Sequence, residues 1–364
     1  MRLPLSCSSL CLFALCLAVL CLSFFSPIVV ENPSGEASYS LHDMTGKEIR
    51  LPGPARSTLI LTPVAWDYLT VDNTDAHIMA VSPWIREQAE KNLLGRIFPA
   101  FLTKGTTVTA FGNGMPGFEQ IMFMRPDATV IWEWFAEPYE AVHFPGLIRL
   151  TSYREGKQEL FALLGELTGK ADRAKFLFTR HDKEIAHLHH NTLTGKEPTR
   201  IAVIYGNGFT LWGDYFKDFN TNLKALNAIN VGESIAVPRQ ELSIEVLLLL
   251  DPEVIFLVDN GITMSVEEMY SLPSLRGLRA VKDRRLYRMP EGASRMEGPV
   301  ERPLLYAWID RLINSERFPD LGMRGLVGKT YLDIYGYAMS EGDLDDWFQT
   351  GDNRHSRHYA EIVR

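Results

Sequence analysis

An α/β fold of two similar lobes, each with a central parallel sheet and joined by one long helix, is what this sequence predicts. Three observations predict it. Strand-like apolar runs alternate with helix-like ones on both sides of the middle of the chain. A helix–Pro–strand segment occurs twice at a fixed separation. Between its two copies lies a wet helical stretch from Lys157 to Asn191, KQELFALLGELTGKADRAKFLFTRHDKEIAHLHHN.

The N-terminus stands apart. Arg2 precedes an apolar run reaching about Val30, followed by polar ENPSGE, which reads over 1–38 as a secretory signal or an uncleaved N-terminal anchor. Cys7, Cys11, Cys16 and Cys21 all fall in this run, so the exported chain beyond it is expected to fold without disulfides. Lys plus Arg number 37 against 45 Asp plus Glu, a net charge of −8. Phosphate neutralisation needs a basic face, so nucleic acid is excluded as the main partner.

The first lobe is expected over 39–155. YSLHDMTGKEIRL alternates around a Thr-Gly turn as a hairpin, then STLILT and HIMAVS are short strands separated by the helical VAWDYLTV. GTTVTAFGNGMPG reads as a strand into a glycine-rich loop, and FEQIMFMRPDATVIWEWF as helix then strand. The connection, 156–193, holds two helices. Leu160, Leu163, Leu164 and Leu167 share a face of the first, Gly169 interrupts, and a second runs from Ala171 towards His190. About 20 helical residues span about 30 Å, enough for a rigid strut between lobes. A continuous helix there implies limited rocking of the lobes.

The pattern restarts over 194–351. TRIAVIYGNG is a strand into a loop, FTLWGDYF a hairpin, FNTNLKALNAINV a helix, and LSIEVLLLLDPEVIFLVDN helix then strand. A strand ending at Met289 feeds the loop PEGASRMEGPVERP, and helices follow at LLYAWIDRLI, YLDIYGYAM and EGDLDDWF. The charged segment 352–364 is expected to be a mobile tail. The repeat is specific: PGFEQIMFMRPDATVIW matches LSIEVLLLLDPEVIFLV, with Glu119 and Pro126 each 126 residues before Glu245 and Pro252, and acidic Asp127 and Glu253 behind the prolines.

Ligands of open parallel sheets gather beyond the carboxyl ends of the strands. After the strands of lobe one come Trp66, then Ser82 and Trp84, then Phe111, Gly112 and Asn113, then Trp132, Glu133, Trp134 and Phe135. After those of lobe two come Tyr205, Asn207 and Trp212, then Asp259 and Asn260, then Arg295, Glu297, Glu301 and Arg302. Aromatics there suit a flat, partly apolar ligand, and paired arginines suit an oxyanion. No G-x-S-x-G, H-E-x-x-H or Walker loop is present, and no cysteine lies outside the first run. His187 and His190 lie one turn apart on the strut as surface residues with His189 adjacent, His143 follows the Trp-rich segment, and His42 and His77 sit at the wrong end of the sheet.

Taken in order, these stretches resemble the substrate-binding proteins of ABC importers in the class with a helical hinge. That class includes iron–siderophore, haem and cobalamin binders and some molybdate or tungstate binders. SLHDMTGKEIRLPGPA resembles its opening hairpin, PGFEQIMFMRPDATVI its lobe-one helix–strand signature, and LLGELTGKADRAKFL its entry into the hinge. LNAINV, LSIEVLLLLDPEVIF and LRAVKDRRLYRMP resemble the lobe-two segments, and TYLDIYGYAMSEGDLDDWF a closing segment seen in a subset. The chain departs from the family in residues inserted from Phe111 to Gly117.

The resemblance implies an α/β fold of two Rossmann-like lobes with central parallel sheets, one long hinge helix, and a ligand cleft between the lobes. It implies an exported monomer, in the periplasm or on the outer face of the cytoplasmic membrane, without catalytic residues, direct metal ligands or a resident cofactor. Glu119 and Glu245 would dock onto an ABC permease dimer, one through each lobe. Trp84, Trp132, Trp134, Tyr205, Trp212, Arg295 and Arg302 would bind a small-molecule ligand, best an iron(III) chelate of the siderophore type. Cobalamin, haem, molybdate or tungstate are the alternatives. A chelatase-like enzyme on a tetrapyrrole or metal, and a sensor subunit, are the readings from other classes.

Overall fold

The computed structural model describes residues 39–106, 118–151, 156–190, 196–206, 209–213, 218–234, 239–258, 264–296, 298–315 and 322–364. The expected signal or anchor over 1–38, the insertion from Phe111 to Gly117, and Asn207, Asp259, Asn260 and Glu297 lie outside them.

An antiparallel hairpin, β1 (Tyr39–His42) with β2 (Glu48–Leu51), opens the chain. Its turn is built by Asp43, whose carboxylate accepts from the backbone of Thr45 and Lys47. The lobe-one sheet follows: β3 (Thr58–Ile60), β4 (Ile78–Val81), β5 (Gly105–Thr106), β6 (Ala128–Trp132) and β7 (Leu147–Leu150), ordered β5-β4-β3-β6-β7 and parallel throughout. Between the strands run α1 (Ala65–Asp72), α2 (Pro83–Lys91), α3 (Leu93–Ile97), α4 (Phe118–Met124) and α5 (Glu137–Glu140). Parallel pairing forces a crossover for every strand, which is why helices alternate with strands here.

The connection is a helical hairpin, α6 (Lys157–Thr168) and α7 (Ala171–His190). Gly169 ends α6 at φ +70°, with Gly169 N–H on Glu166 C=O and Lys170 N–H on Gly165 C=O. That left-handed residue and its two bonds form a Schellman stop, so the break at Gly169 follows from backbone chemistry.

The lobe-two sheet comprises β8 (Thr199–Tyr205), β9 (Phe209–Trp212), β10 (Ala228–Asn230), β11 (Arg239–Leu242), β12 (Val254–Val258) and β13 (Leu286–Arg288). Its order is β11-β9-β8-β12-β13, with β10 on the first half of β8 and β9 on the last two residues. Strands β8, β10, β12 and β13 are parallel, whereas β9 folds back antiparallel onto β8 and β11 onto β9. FTLW thus pairs with the preceding strand and with β11. The helices are α8 (Phe219–Ala225), α9 (Ile244–Leu250), α10 (Val266–Ser271), α11 (Arg279–Lys282) and α12 (Arg302–Ile313), then α13 (Met323–Tyr335), α14 (Glu341–Trp347), α15 (Thr350–Asn353) and α16 (Tyr359–Ile362).

Alternation along the strands divides the interior. Ile60, Val130, Ile201, Val203, Val254 and Phe256 face one shared core that also takes Leu160 and Leu164 of the hinge and Trp308, Tyr331 and Trp347 of the C-terminal helices. Leu59, Leu61 and Ile131 face a separate outer core with Ile121, and Ala202, Ile204, Ile255 and Leu257 face another with Leu247. Strands buried on both faces read as continuous apolar runs for this reason.

The C-terminal segment departs from expectation. Residues 352–364 hold the end of α15, a turn and α16, and they are packed: Asn353, Tyr359 and Val363 are buried, and the Asn353 side chain bonds both the N–H and C=O of Arg288 at the end of β13. Its charged residues face outward or pair, as Asp352 does with Arg288, so composition alone suggested a loose tail. Among the described residues, no helix is long and apolar enough to cross a membrane.

Candidate functional site

The loop after β13 of lobe two meets the helix after β4 of lobe one. Arg295, in the loop after β13, donates from Nη1 to Oε1 of Gln88 on α2 at 3.0 Å, joining lobe two to lobe one. In lobe one Ser82 caps α2 by accepting from Ile85 N–H, which starts the helix directly after β4 and sets Trp84 at its head. Trp84 is 41% exposed and rests edge-on against buried Trp66 at 5.9 Å. Trp132, the last residue of β6, stacks on Trp134 at 4.9 Å and 11° between planes, and Trp134 is 62% exposed. Phe135 lies beside Trp134, also partly exposed. Lobe one thus offers two aromatic surfaces, one behind β4 and one behind β6.

In lobe two Tyr205 ends β8 and stacks on Trp212 at 6.3 Å. Trp212 itself is 7% exposed and packs edge-on against Phe219, so it supports Tyr205 from the core and presents little surface to a ligand. Arg302 is also a support. It is buried, and its Nη1 donates to both carboxylate oxygens of Asp218 at 3.0 and 3.2 Å. The two arginines expected to share an oxyanion therefore have separate tasks, and Arg295 is the one that reaches the facing lobe.

The loop carrying Arg295 is held by Glu301, which is fully buried. Its carboxylate accepts from Ala293 N at 2.6 Å, Ser294 N at 2.9 Å, Ser294 Oγ at 2.6 Å and Met296 N at 3.2 Å, and from the Tyr331 hydroxyl. Burial and the adjacent Glu301 charge push the Tyr331 phenol well above its usual range. Glycine is required at 292, because a Cβ there would stand 2.3 Å from a Glu301 oxygen. Arg295 and Met296 both adopt positive φ, 55° and 60°. Strained backbone of this kind persists only where the surroundings over-determine it, and here the Glu301 cage does so.

Beneath the loop, Asp67 on α1 is fully buried and pairs with Lys157 Nζ at 3.2 Å, at the first residue of the hinge helices. The hinge itself is less wet than its composition suggests. Arg173 donates to the C=O of Thr70 and of Ile334, Arg180 to Thr330, and His189 pairs with Asn222 of lobe two at 2.7 Å. His189 is therefore a contact between hinge and lobe.

Glu119 and Glu245 occupy the second positions of α4 and α9. Glu245 is exposed, and a hydrogen bond from Ser243 holds its carboxyl below the usual range. Sequence reasoning missed Gln88, although its place one turn after Trp84 on the same helix face was a usable signal. It also missed Asp218 and Tyr331, whose roles depend on contacts 84 and 30 residues away. Among the described residues, no group of three or more His, Cys, Asp or Glu is arranged to hold a metal ion.

The fold has many solved relatives. A periplasmic solute-binding protein of Veillonella parvula superposes with a TM-score of 0.78 at 20% identity, covering 87% of this chain and 99% of its own. The molybdate periplasmic binding protein MolA of Haemophilus influenzae gives 0.66 at 15% identity, covering 83% and 99%. CeuE of Helicobacter pylori, in its complex with nickel and histidine, gives 0.65 at 14%, covering 86% and 99%. No curated protein matches the chain by sequence. The family model for periplasmic binding proteins matches residues 77–293. With two α/β lobes on a helical hinge and that match over more than half its length, the chain belongs to the periplasmic binding protein family.

Proposed function

We propose that this protein is the exported substrate-binding component of an ABC importer, capturing an iron(III) chelate of the siderophore type between its lobes and delivering it to a membrane permease dimer. The observation that carries the ligand reading is Arg295 held across the cleft at Gln88, with exposed aromatic faces at Trp84 and Trp134 on the opposite lobe. A ferric chelate combines net negative charge with a partly apolar, often aromatic shell. A guanidinium in a site of reduced dielectric serves the charge, and the Trp84, Trp132, Trp134 and Tyr205 rings serve the shell. Trp212 and Arg302 hold this surface from behind. Metal would enter as part of the ligand, already coordinated. Relatives of the same fold bear names that record molybdate, nickel with histidine, and heme. Identities of 14 to 17% leave the ligand of this chain to be argued from its own residues.

Docking is read from Glu119 and Glu245, matched acids at the same position of two outer helices. A rigid body with one acid per lobe suits a two-fold partner carrying cations.

Tryptophan fluorescence titration tests the ligand. Ferric catecholate and ferric hydroxamate chelates, haemin, cyanocobalamin and molybdate are each added to purified protein. Quenching at sub-micromolar ferric chelate, with an unchanged ligand spectrum over hours, is expected. Quenching by molybdate alone would replace the chelate with an oxyanion, and progressive loss of the ligand spectrum would mean an enzyme. Charge reversal at Glu119 and Glu245 together is expected to abolish uptake with ligand affinity unchanged.

A further inference from the structure

The repeat carries more than two acids. At an offset of 126 residues, α4 (Phe118–Met124) falls on α9 (Ile244–Leu250), and from Gln120 to Met124 burial repeats position by position against Val246 to Leu250. Ile121 and Leu247 are both fully buried and close the outer core of their lobes. The next two residues are exposed in both lobes, the second of each pair far more than the first. Met122 is 48% and Phe123 89% exposed, while Leu248 is 36% and Leu249 84% exposed. The helix ends repeat as well, since Arg125 and Asp251 both turn left-handed, at φ 49° and 38°.

One bare Phe or Leu needs no explanation. Two such pairs, at equivalent positions of two lobes whose sequences otherwise differ, are a different matter. Each helix is held to its lobe by the buried side chain, which leaves the neighbouring face open to solvent. Nothing in the core of either lobe requires large apolar groups there.

We propose that Met122–Phe123 and Leu248–Leu249 are paired apolar plugs that seat in two equivalent sockets of the permease dimer, each beside a cation that meets Glu119 or Glu245. The inference rests on the docking reading and names what the acids alone do not supply. Charged rims steer and orient an encounter, whereas desolvated apolar anchors hold the complex. The occupant is argued from the duplication. A partner with two-fold symmetry offers the same socket twice, so one pattern kept on both lobes fits it. A second copy of this chain would need only one patch meeting itself.

The test uses full-length protein in its native cells, with benzoylphenylalanine at position 123 or 249 and mass spectrometry of the cross-linked product. Both positions are expected to capture an ABC permease polypeptide. Capture of only a second copy of this chain, only lipid, or nothing would overturn the proposal. Binding to that permease in nanodiscs is then compared for Phe123→Ala, Leu249→Ala, their combination, and Glu119→Lys with Glu245→Lys. Each alanine is expected to weaken binding about tenfold, and the pair about a hundredfold, with the ferric-chelate titration unchanged. If the charge reversals abolish binding but the alanines stay within about twofold, the plugs are refuted and the docking acids stand. If neither set alters binding, the docking reading itself fails.

Discussion

Replacing Glu301 by Gln asks whether one buried carboxylate holds the loop that presents Arg295. Oε1 accepts from Ala293 N and the Tyr331 hydroxyl, and Oε2 from Ser294 N, Ser294 Oγ and Met296 N. An amide keeps one acceptor and turns the other into a donor. The two hydroxyls can rotate away, but the backbone N–H groups cannot. One orientation takes the carboxylate oxygen from Ala293 N–H and leaves it the Tyr331 hydroxyl oxygen at 3.0 Å, whereas the other strands the N–H groups of Ser294 and Met296. Each stranded buried donor costs about 1–3 kcal/mol. The amide takes the first, cheaper orientation, and the left-handed pair Arg295 and Met296 loses part of its restraint, so the predicted loss is about 1–3 kcal/mol, against a total of about 5–15. Urea denaturation reads that loss, and amide exchange at 292–296 should accelerate about fivefold or more. Ferric-chelate affinity should fall towards that of Arg295→Ala, a variant expected to leave the urea midpoint unchanged. An unaltered midpoint together with unaltered exchange at 292–296 would refute the reasoning.

Three further outcomes are expected. Asp343 is opposed by burial but receives hydrogen bonds from Arg96, Ser340 and Tyr337, which bring its carboxyl down to about 2 from 3.8. A depressed folded value gives stability that is complete above the unfolded pKa and lost as pH falls through the folded one. About 2 kcal/mol should therefore disappear between pH ~4 and ~2, and Asp343→Asn should flatten that part of a urea-midpoint profile. Asn353→Ala removes two bonds to the end of β13 and one to Phe348 C=O inside the core; a loss of about 2–3 kcal/mol in urea denaturation is expected, where a loose tail would show none. Finally, the hinge is tied to lobe one, to the C-terminal helices and to lobe two by Arg173, Arg180 and His189. Solution scattering with and without ferric chelate should therefore differ by a small rocking only, and a large closure would overturn the rigid-hinge argument.

Strands, helices and the duplicated lobe were legible in the sequence because each depends on neighbours within a few residues. Apolar alternation marks a strand, Gly169 stops a helix, and a repeat announces itself by its own spacing. The segment from Glu119 to Trp132 and its counterpart from Glu245 to Val258 could be paired without coordinates, and β6 and β12 occupy matching places in them. The site was only partly legible. Trp84, Trp134 and Arg295 follow strands and Trp132 and Tyr205 end them, and the topology of parallel sheets brings such residues to one edge.

The partner of each polar side chain was left to the tertiary structure. Nothing near Arg302 in sequence reveals that Asp218, 84 residues away, takes its charge. Nor does anything local show that Trp212 lies behind Tyr205, or that Asn353 closes the edge of β13 across 65 residues. A charged segment looks the same in sequence whether its charges meet water or a buried backbone, which is why 352–364 read as mobile. Residue type and spacing determined the elements of this protein and their duplication. Only the packed chain decided which side chains remain to face a ligand or a partner, since burial and hydrogen-bond saturation are properties of long-range contacts.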